Sequence, residues 1–227
     1  MGKWGEWQKF VIKNIMIYLI GAPPRCGKTT LAKKMSKQMR IPWLSSDTLD
    51  SITQVLTPKE KFAKKFPYSF LRKKGSARNN DSFYNTYSPE KIVSVLKKEA
   101  EAVHLAIDTV IACEIADGND YIIEGYHIMP SFANKMIKKY GKQNIRAVFL
   151  TKFDANKFAK DVHKSTTPND WLLVLTKKAE TFIKVGNMVS VFSKYFEQEA
   201  KKFGLQTFNM DVNFNRQIDK AIKYLVR

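Results

Sequence analysis

Gly21-Ala22-Pro23-Pro24-Arg25-Cys26-Gly27-Lys28-Thr29-Thr30 is the stretch on which the fold turns. Residues 22–29 place a small residue, four free positions and then Gly-Lys-Thr, with Ala22 where such loops more often carry glycine and Gly21 beside it to supply flexibility. The spacing has a mechanism. Backbone N–H groups of the loop and of a following helix N-terminus converge on an anion, where the helix dipole also favours negative charge. Gly27 permits close backbone approach, Lys28 reaches the β- and γ-phosphates, and the Thr29 hydroxyl ligates magnesium. Ala22, Pro23, Pro24, Arg25, Cys26, Gly27, Lys28, Thr29 and Thr30 are therefore the expected nucleotide-binding residues, with ATP and Mg2+ as ligands. Pro23 and Pro24 carry no N–H, so the cradle rests on residues 25–30. Arg25 is either a further phosphate contact, and then catalytic, or a surface residue.

The flanks are those the mechanism needs. Residues 14–20 are a continuous apolar run rich in β-formers, expected as a buried parallel strand. Residues 28–39 carry Leu31, Met35 and Met39 at helical spacing among lysines. Further strands are expected at 41–44, 121–124, 145–150 and 205–209. Helices are expected from Ser88-Pro89 to about 116, over 130–140, over about 171–203 and over 213–226. Residues 51–88, broken by Pro58, Pro67, Gly75 and Asn79-Asn80-Asp81, look like a mobile insertion over a cleft. Short apolar strands alternating with helices predict a three-layer α/β/α sandwich around a parallel, five-stranded sheet. One domain over 14–227, preceded by an extension at 1–13, accommodates the whole pattern.

Two acids fall where strands end. Asp47 follows the second strand, at the carboxyl edge where open α/β sheets gather ligands. It can orient an acceptor hydroxyl and take its proton, or cap the helix that follows, and both roles can coexist. Glu124 ends the strand beginning at Tyr121, the position of a Walker B acid that manages magnesium with Thr29. His127, three residues on, either contacts an acceptor phosphate or satisfies a loop carbonyl.

The 227 residues carry 39 Lys and Arg against 21 Asp and Glu, a net charge of +18. This favours anionic partners, or else paints solvated helix faces with lysine. No apolar run approaches the roughly 20 residues that span a bilayer, and the N-terminus has no signal core, so a soluble, cytoplasmic protein without a membrane partner is expected. The two cysteines, Cys26 and Cys113, have no metal-ligand spacing.

Through residues 21–30, 43–49 and 122–130 the chain resembles P-loop kinases of the adenylate-kinase and shikimate-kinase type. Within them it is most similar to the 2-phosphoglycerate kinase and zeta-toxin-like branch. The resemblance implies Mg-ATP as phosphoryl donor, a small metabolite bound between core and insertion, and a lid, placed at 153–170. Such lids usually bring arginines onto the transferring phosphoryl group, whereas residues 153–170 hold only Lys157, Lys160 and Lys164. Arg72 or Arg78, from the basic insertion, could substitute. The leading expectation is a kinase in which Lys28, Asp47 and Glu124 act on a small anionic acceptor. A nucleic-acid end or sugar nucleotide is the alternative acceptor, motivated by eight Lys or Arg within residues 59–78 and the interleaved Phe62, Phe66, Tyr68 and Phe70. A nucleotide-binding switch without transfer activity is the third reading.

Overall fold

The computed structural model describes residues 15–74, 79–165 and 170–227. The extension expected at 1–13 and Arg78 lie outside them. Five strands, β1 (Ile17–Gly21), β2 (Trp43–Ser45), β3 (Tyr121–Gly125), β4 (Ile145–Thr151) and β5 (Gln206–Asn209), form one all-parallel sheet in the order β2-β3-β1-β4-β5. β1 is central and buried along its whole length, which is why it is apolar throughout rather than alternating. Its register sets Ile20 against Glu124, and β2 sets Ser45 against Glu124. The phosphate loop, Glu124 and the end of β2 thus meet at one edge of the sheet.

Helix α1 (Lys28–Met39) follows β1, and α2 (Ser46–Val55), α3 (Lys59–Lys65), α4 (Pro67–Lys74), α5 (Asn80–Thr86) and α6 (Pro89–Ala116) fill the connection from β2 to β3. α7 (Pro130–Tyr140) leads to β4. α8 (Ala155–Val162), α9 (Trp171–Val174) and α10 (Ala179–Lys202) lead to β5, and α11 (Phe214–Leu225) follows it. Right-handed crossovers put α1 on one face of the sheet and α6, α7 and α10 on the other. α11 packs on α1, and α10 packs on α6, α7 and β4.

Three expectations are corrected. Gly21 supplies room rather than flexibility: a Cβ there would lie 2.1 Å from the Ile128 carbonyl oxygen and 2.6 Å from the Phe149 ring. The described part of 51–88 is mostly helical, because its described breakers are helix starts, Gly75 lying outside the described residues. Pro58 caps α3, Pro67 opens α4, and the Asn79 side chain accepts from the N–H groups of Asp81 and Ser82. The helix expected over 171–203 is two helices. The Asp81 carboxylate accepts from Lys177 N, Lys178 N and the Thr181 hydroxyl, so a side chain from α5 caps α10 where local periodicity would have run on.

Candidate active site

α1 begins without a side-chain cap and without an acid in its first turn, so its leading N–H groups are left for a ligand. Gly27 precedes it at φ 95°, the left-handed region, and a Cβ there would come 2.6 Å from the Phe214 ring. Conformation and space both demand glycine. Lys28 and Thr29, the first helical residues, are half-buried at the loop mouth. Cys26 has no exposed surface, and burial pushes its thiol up to about 12, so it packs rather than reacts.

Arg25 stands at φ 65° and pairs through Nη1 with Asp170. The Asp170 side chain is 2 % exposed and also accepts from Leu172 N, capping α9. The pair ties the phosphate loop to the strap carrying α9, a partner that sequence spacing could not show. Asp170→Ala should lower stability by about 3 kcal/mol, because it strands a largely buried guanidinium and uncaps a helix. In a chain of this size that is a fall in melting temperature of roughly 6–12 °C, read by thermal unfolding. A change under about 2 °C would show that the pair contributes little.

Glu124 is 1 % exposed. Its Oε1 accepts from the Thr29 hydroxyl at 2.9 Å, while Oε2 is buried and has no hydrogen-bond partner. Burial raises its pKa, and Lys28 and Thr29 pull it back down. A buried carboxylate oxygen without a donor costs free energy unless a cation or water meets it. Both residues expected to manage magnesium are therefore brought into contact, with one hard oxygen left over.

On the acceptor side, the cap of α2 is Ser45, whose hydroxyl accepts from Asp47 N at 3.3 Å, so Asp47 is not the capping residue. Its carboxylate is 63 % exposed and lies 3.8 Å from His127 Nδ1. His127 is wholly buried: Nδ1 shares a 2.7 Å hydrogen bond with the Ser46 hydroxyl, and burial lowers its pKa to about 3. Gly125 leaves room for that hydroxyl, since a Cβ there would sit 1.6 Å from Ser46 Oγ. His104 Nε2 donates to the His127 carbonyl at 3.0 Å and stacks on Phe132.

Sequence reading missed Asp50, one helical turn beyond Asp47. Its Oδ1 and His127 Nε2 are both buried without hydrogen-bond partners and stand 3.8 Å apart, while Gln54 Nε2 donates to Oδ2 at 2.7 Å. A substrate hydroxyl beside this pair could bond both. The i, i+3 spacing of the two aspartates was the available signal. Burial, reinforced by Glu99, raises the Asp50 pKa to about 7.

The folded value lies above the unfolded one near 3.8. The associated stability is therefore complete below that value and is lost as pH rises through about 7. Asp50→Asn should match the wild type at low pH and exceed its stability by about 2 kcal/mol at pH 8. That figure takes 1.36 kcal/mol per pKa unit, halved for screening on the open side. Denaturant titrations at both pH values check it, and a difference independent of pH would contradict it.

Arg72 donates through Nη2 to Asn80 Oδ1 at 3.0 Å and lies over the Phe83 ring, with Nη1 buried and unpartnered. The lid lysines are not brought to the loop. Lys157 and Lys164 both pair with Asp161 at 2.8 Å, and Lys160 is exposed. Residues 155–162 of this segment form α8. Of the four interleaved rings, Phe66 is fully buried and Phe62 and Tyr68 pack against the core, which leaves few faces for stacking bases. No helix among the described residues is long and apolar enough to cross a membrane.

No family model matches the chain. It is 22 % identical to the 2-phosphoglycerate kinase of Methanothermobacter thermautotrophicus, over 99 % of this chain and 70 % of that one. It is 28 % identical to the mevalonate-3-phosphate 5-kinase of Thermoplasma acidophilum, over 56 % of this chain and 58 % of the relative. The chain thus spans 58–70 % of these two relatives' lengths. Among solved structures, a putative kinase from Chloroflexus aurantiacus superposes with a TM-score of 0.50 at 10 % identity, covering 94 % of this chain and 97 % of that one, a likeness of fold.

Proposed function

We propose that this chain, a P-loop phosphotransferase of the nucleotide-kinase-like group, moves the γ-phosphoryl group of Mg-ATP to a hydroxyl of a small anionic metabolite. The observation that carries the reading is the contact of Thr29 with Glu124 beside an uncapped helix N-terminus, with Glu124 Oε2 unpartnered. The donor set suits magnesium, a hard cation. Among the described residues no group of three or more His, Cys, Asp or Glu could hold a metal. Magnesium takes one or two protein oxygens and completes its shell with water and substrate phosphate. When bound, it draws charge off the transferring phosphoryl oxygens.

The chain's own residues do the rest. Backbone N–H groups from residue 25 onward and the Lys28 ammonium hold the phosphates against the dipole of α1. Asp47, solvent-exposed just past β2, orients the acceptor hydroxyl and accepts its proton as the new phosphorus–oxygen bond forms and the bond from the γ-phosphorus to the bridging oxygen breaks, releasing ADP. His127, kept neutral by burial, offers a polar edge without adding charge. Arg72 Nη1 supplies an unused donor for an anionic acceptor group. Both curated relatives have names with an already phosphorylated acceptor, which supports an anionic one here.

The test is ADP formation from Mg-ATP across phosphoglycerates, mevalonate phosphates, sugars, nucleosides and short oligonucleotides. One anionic metabolite should stimulate turnover well above the ATPase background. Tight ATP binding with no acceptor-dependent turnover would favour the switch reading, and stimulation by oligonucleotides alone would favour a nucleic-acid end.

A further inference from the structure

Away from the phosphate loop, α2 carries a second apolar stripe that faces outward. Ile52, Val55 and Leu56 recur at i, i+3 and i+4, and they are 51, 85 and 76 % exposed. Exposed apolar side chains scattered singly need no explanation, but a contiguous group does. Here the stripe borders a cleft of about 520 Å³ between α2, α3 and α4. Gln54 and Val55 form one wall, Phe62 and Ala63 a second, and Phe70 a third.

The cleft has the size of a small-molecule site, about 300–1,000 Å³. Its charge is one-sided. Among the described residues Lys59 and Lys73 line it and no acid does, and the Lys73 ammonium is held 4.1 Å from the Phe62 ring centroid. Glu99 and Asp50 act on Lys73 from behind the wall without entering the cleft. Apolar walls with two ammonium groups match a ligand that has a short hydrocarbon body and an anionic head. A neutral apolar ligand would leave both lysines unused, and a cationic one would be repelled.

We propose that this cleft binds a small amphiphilic anion, its hydrocarbon body against Val55, Phe62 and Phe70 and its carboxylate or phosphate head on Lys59 and Lys73. Gln54 links the site to the acceptor side. It lines the cleft, and its Nε2 donates to Asp50 Oδ2 at 2.7 Å and to Ser69 Oγ at 3.0 Å. A bound ligand therefore touches the residue that holds Asp50. The site stands whether or not phosphotransfer does, since none of its lining residues takes part in that reading.

Calorimetric titration of the full chain with octanoate, hexyl phosphate and 1-hexanol tests it. At least one anion should bind saturably at one site, and 1-hexanol at least tenfold more weakly. The preferred anion tells a carboxylate from a phosphate head. Val55→Asp and Lys59→Glu change exposed side chains, and both should keep the wild-type melting temperature while weakening the anion at least tenfold. Undiminished binding in both variants, or no saturable binding of either anion, overturns the proposal. So does Val55-dependent sedimentation with phosphatidylglycerol vesicles in the absence of small-anion binding, which would make the stripe a membrane contact.

Discussion

Lys28→Ala should cut acceptor-dependent ATP turnover about a thousandfold, the upper range for removing one preorganised donor from a developing charge. Lys28 is the first residue of α1, half-buried, and makes no ion pair with another described residue. Its structural part is confined to a through-space attraction on the Glu124 carboxylate, with no hydrogen bond to lose. Alanine is also the better helix former, so the melting temperature should stay within about 2 °C of the wild type. The contrast between lost turnover and kept stability is the informative result. Lys28→Arg keeps the charge but replaces a compact ammonium by a planar fork, beside a Gly27 already closed in by Phe214. It should recover little. Turnover of Lys28→Ala within tenfold of the wild type would remove the phosphate-loop assignment, whatever the fold.

The loop, its strand and its helix were legible because local pattern and chemistry coincide there. A buried central strand must be apolar throughout, and an anion-binding turn must place glycine at Gly27. That Glu124 and Asp47 stand at the carboxyl edge of the sheet was legible from strand ends alone. The connection from β2 to β3 was not. Pro58, Pro67 and Asn79 break one helix and begin another with the same side chain, and only the three-dimensional path says which. Longer-range chemistry was out of reach altogether. Asp81 caps α10 from about a hundred residues away, and Asp170 takes Arg25 across 145. Asp50 was overlooked for a related reason: its significance lies in a burial and a missing partner, neither of which periodicity reports.

Glu124→Gln should lower turnover about a hundredfold and at the same time raise the melting temperature by about 3 °C, the scale of a 1 kcal/mol gain. The two effects share one cause. The wild-type carboxylate is almost wholly buried, its pKa is raised by that burial, and its Oε2 makes no hydrogen bond, the Ser45 hydroxyl standing nearby. It is therefore a charge kept in an unfavourable place, which the proposed cation would relieve when the site is loaded. The amide keeps an oxygen for the Thr29 hydroxyl but carries no charge, so folding no longer has to desolvate one. The sign with pH follows. Because the folded pKa is above the unfolded 4.5, the stability linked to Glu124 is whole below 4.5 and is lost as pH rises through the folded value. The variant's advantage should accordingly vanish in acid and grow toward neutral pH. Magnesium should then separate structure from chemistry. With ATP present, it should raise the wild-type melting temperature more than that of Glu124→Gln, and the variant should need a higher magnesium concentration for half-maximal turnover. A variant that is destabilised at neutral pH, or whose magnesium dependence matches the wild type, would mean that Glu124 is held for packing and that the cation is managed elsewhere.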